Sequence, residues 1–502
     1  MCFKRMFVAF KPCIDGFING CRPYIGVDST RLNGKYSGQL AKATSIDGHN
    51  WLFYVAFAIF DSEIENNWLW FMQQLHGAIG EPDGLVISTD ACKGLEKAVG
   101  AVFDKAEHRE CMRHLYSNFM KKYKGPIFSL HLYPAARSFT EEGFMYHMQQ
   151  IYNFCPEAIN YLQTHHSRTW YRSGFKEACK CDYLTNNVSE SFNNQIKALK
   201  GLHLHELVDS LRELIMEKMC LRRQIGEKMS LGILPSVMKE LNMASTNLKV
   251  VKVARSDDDM AEVSLVESDN NTRRHTVHLT THSCSCRKWQ VTGKPCSHAL
   301  AWICSNRGVH IADFVSDYYS ASKFRAAYEG RMPTMPDRSA WPHQDLGFEV
   351  FPPKMKRAAG RPRVQRIRGA LEPGAKRVRC KRCQGYGHFE KTCKLAEATH
   401  AGDEAEEPLA TQTKRKINTE EASSSRPAKK KKNSKKEEDP PEEEYSTEEK
   451  RSRSSLQTSC KGSEELVKLA CILSAENCKC SLFILRTRLL CPKNFLSVSF
   501  CL

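Results

Sequence analysis

Leu85-Val86-Ile87-Ser88-Thr89-Asp90 is the stretch on which the reading of this chain turns. Apolar and β-tolerant residues run into a carboxylate. Ala91-Cys92-Lys93-Gly94-Leu95 then supplies a small-residue turn and the start of a helical spacing. A buried strand delivers an Asp to the end of a sheet in this way, where ligands and metals reach it. Strand-end aspartates also cap the following helix in many proteins, so the weight falls on whether other carboxylates meet this one.

Working outward, Tyr24-Ile25-Gly26-Val27-Asp28 reads as a second strand ending in a carboxylate. Gln39 to Ile46 and Trp51 to Ile59 read as its antiparallel neighbours across the turns at Asn33-Gly34 and Asp47-Gly48. Asn67 to Leu75 has helical spacing through Trp68, Phe71, Met72 and Leu75. Beyond Asp90 come a helix over Lys93 to Phe103, a short strand near Ala106, and a helix through Met112, Leu115 and Phe119. Three antiparallel strands followed by alternating helix and strand is the order of a ribonuclease H-like α/β core. From about Thr140 to His166 the pattern is helical. Val188, Phe192, Ile196 and Leu199 then form an apolar stripe, which leaves Glu190, Asn194 and Lys197 on another face of one helix.

The chain has 502 residues, enough for two or three domains, and a formal charge of +17. That balance points to a polyanionic partner, with nucleic acid first among them. No stretch is long and apolar enough to cross a bilayer, and Met1 to Met6 has no secretory pattern. Several of the 22 cysteines sit in metal-type spacings, which favours a reducing compartment over a disulfide scaffold.

Asp28, Asp90 and Glu190 come from three separate segments, as oxygen ligands for two divalent cations must. Ions about 4 Å apart activate water or a 3′-hydroxyl and stabilise the leaving oxygen in an in-line phosphoryl displacement. The alternative is a strand end, a helix cap and a solvated helix residue.

Asp28-Ser29-Thr30 with Gly34-Lys35-Tyr36-Ser37-Gly38, Thr89-Asp90-Ala91-Cys92-Lys93-Gly94, the pair Cys111-x-x-His114, and Asn186-Asn187-Val188-Ser189-Glu190-Ser191-Phe192-Asn193 resemble the catalytic core of Mutator-like element transposases, in family order. The resemblance implies a ribonuclease H-like domain with a helical insertion over about 115–180, in which Asp28, Asp90 and Glu190 are the catalytic triad for Mg²⁺ or Mn²⁺. Glu206 and Glu213 are the nearby alternatives to Glu190. It also implies that Cys111 and His114 lie near the triad, where we expect them to arrange DNA. Family members usually carry a DNA-binding domain ahead of this core. Met1 stands only a short way before Asp28, so the expected layout lacks that domain and leaves recognition of element ends unaccounted for.

Two further modules are read from ligand spacing. Cys284-x-Cys286, nine residues, then Cys296-x-His298 gives four soft ligands in two tight pairs. Strands over Val250–Val253, Glu262–Val266 and Arg274–Leu279 and a helix over Pro295–Ile303 flank it, with Trp289 and Trp302 as core. This resembles the SWIM zinc finger, here expected as a small ββα-type module. Cys380-x2-Cys383-x4-His388-x4-Cys393 has zinc-knuckle spacing, with Tyr386 and Phe389 to stack on unpaired bases. Between the two, Arg361 and Arg363 flank Pro362 in an AT-hook-like stretch that would follow a minor groove. Lys429 to Lys432 reads as a nuclear localisation signal.

The expected layout is a transposase core over 1–200, a helical connector over 201–245, the SWIM module over 246–310, a basic linker over 345–378, the knuckle over 379–396 and a disordered tail over 397–502. The expected cofactors are Zn²⁺ in both modules and Mg²⁺ or Mn²⁺ at the triad. The expected partners are DNA, and single-stranded nucleic acid at the knuckle, with no membrane; a homo-oligomer stays open. The expected function is metal-dependent DNA cleavage and strand transfer in the nucleus. Two alternatives remain, a domesticated zinc-binding regulatory protein without catalysis and a single-strand binder centred on the knuckle.

Overall fold

The structure is a computed structural model that describes residues 3–340 apart from Ser268, together with Cys380 and the backbone of 486–488 and 496–501; the side chains of Glu190 and Arg338 are outside that description. Its elements in chain order begin with β1 (Arg5–Phe10), α1 (Lys11–Gly20), β2 (Tyr24–Arg31), β3 (Gln39–Ile46), β4 (Leu52–Phe60) and α2 (Glu65–Ile79). Then come β5 (Val86–Thr89), α3 (Lys93–Val102), β6 (Glu107–Glu110) and α4 (Met112–Lys122). Helices α5 (Pro126–Arg137), α6 (Glu141–Phe154), α7 (Pro156–His165), α8 (Asn187–Gln195), α9 (Leu204–Glu227) and α10 (Pro235–Thr246) follow. The second half holds β7 (Val250–Arg255), β8 (Met260–Val266), β9 (Thr272–His278), β10 (Ser283–Cys284), α11 (Lys288–Thr292), α12 (Ser297–Ser305) and α13 (Ala321–Tyr328), and near the C-terminus β11 (Arg486–Arg488) and β12 (Leu496–Cys501).

Eight strands form one mixed sheet in the order β11-β12-β1-β4-β3-β2-β5-β6. β2, β3 and β4 pair antiparallel, whereas β5 and β6 run parallel to β2. Every residue of β4 (Leu-Phe-Tyr-Val-Ala-Phe-Ala-Ile-Phe) is buried, which requires helices on both faces. On α2 the buried residues Trp68, Phe71, Met72, Leu75 and Ile79 recur every three or four positions and supply one of those faces. β1 and α1 lie ahead of β2, and β1 pairs antiparallel with β4. At the outer edge β12 pairs with β1, and Leu496, Val498 and Phe500 alternate with Ser497 and Ser499 along it. Both β11 and β12 fall within the stretch 397–502 that was expected as a disordered tail.

The chain returns to this core after the second sheet. A Cβ on Gly16 would meet Ala327 O at 2.1 Å and one on Gly20 would meet Ala327 N at 2.2 Å, so only glycine lets α1 and α13 touch backbone to backbone. Next to Ala327, Tyr328 Oη donates to Asp47 Oδ2 at 2.8 Å. Helices α4 to α7 carry a separate apolar cluster around Leu115, Phe119, Phe128, Leu132, Ile151 and Leu162.

The second sheet is antiparallel, in the order β10-β9-β8-β7, with α11 and α12. Four strands and two helices make it larger than the expected ββα-type module. β10 is two residues long, too short to leave a period in the sequence. Trp289 and Trp302 are both buried in its core.

Candidate functional site

β2 and β5 are in register at Tyr24/Val86, Ile25/Ile87 and Gly26/Ser88. Two residues past the last of these pairs stand Asp28, still within β2 where it has parted from β5 and pairs only with β3, and Asp90, which follows the end of β5. The apolar runs that precede them force each strand inward and so bring both carboxylates to one edge.

Helix α8 crosses that edge, and its docking is specific. Asn186 Nδ2 donates to Val27 O at 3.1 Å, and Ser189 Oγ donates to Asn186 Oδ1 at 2.9 Å. Gly26 makes room for this: a Cβ there would stand 2.3 Å from Asn186 Oδ1. One turn on, Asn193 Nδ2 lies 3.4 Å from Asp28 Oδ2. Residue 190 sits on the helix backbone between these two attachments. The Glu190 side chain is outside the described residues. Of its alternatives, Glu206 accepts the His203 amide at 3.0 Å and so caps α9; Glu213 lies two turns further along α9.

Lys42, on β3 and opposite Asp28 in the register, donates to Asp28 Oδ2 at 3.0 Å and to Asn193 Oδ1 at 2.8 Å. Its side chain has no exposed surface. The other Asp28 oxygen accepts the Ser29 amide at 2.8 Å. Sequence reasoning missed both Lys42 and Asn193. A lysine in the strand Gln39–Ile46 reads as the polar half of an alternating pattern, and nothing in it signals burial.

Asp90 responds to its surroundings. Burial, followed by the negative charges of Asp28 and Glu63, lifts its carboxyl to about 6, with His114 opposing. Glu63, an exposed residue on the loop after β4, reaches the same edge by accepting from Ser29 Oγ; it too was missed. Cys111 is the N-cap residue of α4 and is buried, and Asn186 N donates to its Sγ at 3.3 Å. Burial opposes a thiolate there, but hydrogen bonding and charge from His114 outweigh it and hold the thiol below its usual value. The hydrogen bond to Cys111 raises His114 against its own burial, and Asp90 adds to the rise. Cys111 and His114 thus form a polarised pair beside Asp90.

The second site lies in the smaller sheet. Ligand atoms of Cys284, Cys286, Cys296 and His298 all lie within 4.8 Å of one another. Cys296 begins α12 and its Sγ accepts the Ala299 amide at 3.5 Å; His298 Nδ1 is 4.0 Å away. Neighbouring thiols and these amides favour Cys296 as a thiolate. Three thiols and one imidazole fit a closed tetrahedral zinc site. Arg287, at φ 60°, turns the chain directly after Cys286, and its guanidinium donates to Phe175 O at 3.1 Å on the larger core.

Arg361, Arg363, Cys383, His388 and Cys393 are outside the described residues, and of the knuckle only Cys380 is described, as buried. Among the described residues no helix is long and apolar enough to cross a membrane.

Comparison with known families places a MULE transposase domain at residues 24–118 and a SWIM zinc finger at residues 267–301. The first span contains Asp28, Asp90, Cys111 and His114, and the second contains all four thiol and imidazole ligands. No curated protein matches the chain.

Proposed function

From a transposase-derived chain that carries a MULE transposase domain and a SWIM zinc finger, we propose a metal-dependent DNA-cleaving and strand-joining protein that acts in the nucleus. Its larger core is ribonuclease H-like: the order β4-β3-β2-β5-β6, with two parallel strands added beside β2, supports that reading. Asp28, Asp90 and Glu190 hold Mg²⁺ or Mn²⁺. The observation that carries the proposal is the delivery of Asp28 and Asp90 to one sheet edge, close enough for the charge of one to raise the other.

When bound, hard divalent ions supply an activated water or 3′-hydroxyl and neutralise charge on the phosphoryl oxygens. The chain's own residues prepare the place. Lys42 fixes the direction of the Asp28 carboxylate. Asp90 is ionised only above about pH 6, so its availability as a ligand follows pH. Asn186 and Asn193 hold α8, and with it residue 190, against β2. His114, whose charged form Cys111 and Asp90 favour, is a contact for a DNA phosphate. The SWIM zinc organises its own fold, with a +17 chain supplying attraction to DNA.

One observation favours a second reading, a zinc-binding DNA-binding protein without catalysis. The buried Lys42 ammonium already pairs with Asp28, as a resident cation would. Nicking of supercoiled DNA in Mn²⁺ separates the two. The enzyme reading expects nicking that is lost in Asp90→Asn and kept in Cys380→Ser. Equal DNA binding by wild type and D90N, with no cleavage by either, rules it out in favour of the second.

A further inference from the structure

His298 is 5 % exposed, and its Nε2 is buried without a hydrogen-bond partner. Its Nδ1 is the atom that faces Cys296 Sγ. Once Nδ1 binds a metal, Nε2 keeps the ring proton and must donate it. The acceptor nearest to hand is Glu267 Oε1, 4.0 Å from Nε2. Glu267 directly follows β8, in the hairpin to β9, and its side chain is about one-third exposed, which leaves it room to approach. Arg273 grips its other oxygen and holds Asp269 at 2.5 Å. His275 is committed elsewhere: its ring lies 4.3 Å from that of His298, and its Nδ1 is 2.9 Å from Ser285 Oγ.

We propose that Glu267 is the positioning carboxylate of the zinc site, closing onto His298 Nε2–H and fixing the ring with Nδ1 toward the three thiols. Arg273 pairs with the other Glu267 oxygen and so holds the carboxylate in place. A carboxylate behind a metal-bound histidine locks its tautomer and raises its basicity, and its loss weakens metal binding by about 10–100-fold. The rival arrangement is a second ion held by Glu267, His275 and His298, whose ligand atoms also lie within 4.8 Å of one another. That would need His298 to bridge two ions and surrender its second ring proton. The inference is independent of whether the carboxylate edge cuts DNA.

The test uses the full chain carrying C380S and C383S, so that the other Cys/His run is silent, and reads zinc affinity by chelator competition. Wild type is expected to take one zinc per chain. E267A is expected to bind it about 100-fold more weakly and E267Q, whose amide oxygen still accepts, about tenfold. E262A is the structural control: Glu262 pairs with Arg274 at 3.1 Å on the same sheet but faces no ligand, so its affinity should match wild type. In cobalt-loaded protein the visible ligand-field bands should move in E267A and stay in E262A. Wild-type affinity and an unmoved spectrum in E267A overturn the proposal. So do two zinc ions per chain with one lost in H275A. If E267A does not fold, E267Q decides, and affinity equal to wild type overturns the proposal.

Discussion

The Lys42 ammonium lies 3.0 Å from Asp28 Oδ2 and has no exposed surface, whereas the Asp28 side chain keeps 21 % of its own. A lysine is buried this deeply only with a partner, and the partner is a carboxylate on the edge that a divalent cation would use. Lys42→Met leaves that carboxylate without its counter-charge. The metal-free variant is expected to lose about 3 kcal/mol, the low end for a broken buried pair because water reaches Asp28. A bound cation replaces the missing charge, so Mn²⁺ should raise the melting temperature of K42M more than that of wild type. Equal increments would mean that lysine and metal do not share Asp28.

Asp90 gives the core a pH signature. Its folded value of about 6 lies above the unfolded carboxylate range, so ionisation destabilises the metal-free fold. The contribution to stability is fully present below about pH 4 and is lost as pH rises through about 6, amounting to about 2–3 kcal/mol. Denaturant unfolding of wild type minus Asp90→Asn in EDTA should show this falling step. Manganese reverses the sign, because the ionised carboxylate is the ligand. Mn²⁺ affinity should therefore climb between pH 5 and 7, and a flat profile would remove Asp90 from the metal site.

Gly26 is the narrow point of α8 docking. An added methyl would sit 2.3 Å from Asn186 Oδ1, and the amide cannot retreat without releasing Val27 O. Gly26→Ala is expected to cost about 1–3 kcal/mol, in the range of an overpacked core. It should also weaken Mn²⁺ binding, because α8 carries residue 190. Asn186→Gly in the G26A background removes the clash and should restore stability toward that of N186G alone. If G26A is destabilised while its Mn²⁺ affinity is unchanged, α8 does not contribute a ligand.

What could be read in advance follows from how locally each feature is encoded. The strand segments that lead to Asp28 and Asp90 announce themselves by apolar runs followed by a carboxylate, and zinc ligands by their short spacing. Lys42, Glu63 and Asn193 act across 14 to 165 residues of chain, through the sheet register and the docking of one helix. Nothing near them in sequence marks them. The return of α13 onto α1 was hidden for the same reason: Gly16 and Gly20 meet the Ala327 backbone across more than 300 residues of chain. The SWIM module was legible in its ligands and its tryptophans, but not in the two-residue strand β10.

Zinc removal should divide the described chain in two. The second sheet has a small core around Val263, Val277, Trp289 and Trp302, with its ligands on β10, the following turn and α12. Such a module draws most of its stability from the ion, worth about 10 kcal/mol or more. The larger core rests on the aromatic and aliphatic layers around β4 and needs no zinc. Chelation at neutral pH should therefore open residues 250–305 to proteolysis while the sheet carrying Asp28 and Asp90 keeps its amide protection. Arg287 ties the two together, so Arg287→Ala should lower the chelator concentration at which the module opens without moving the melting of the core. Cys296→Ser should behave like the chelated protein before any chelator is added. Simultaneous loss of both parts on chelation would show that the zinc module is a structural member of the core.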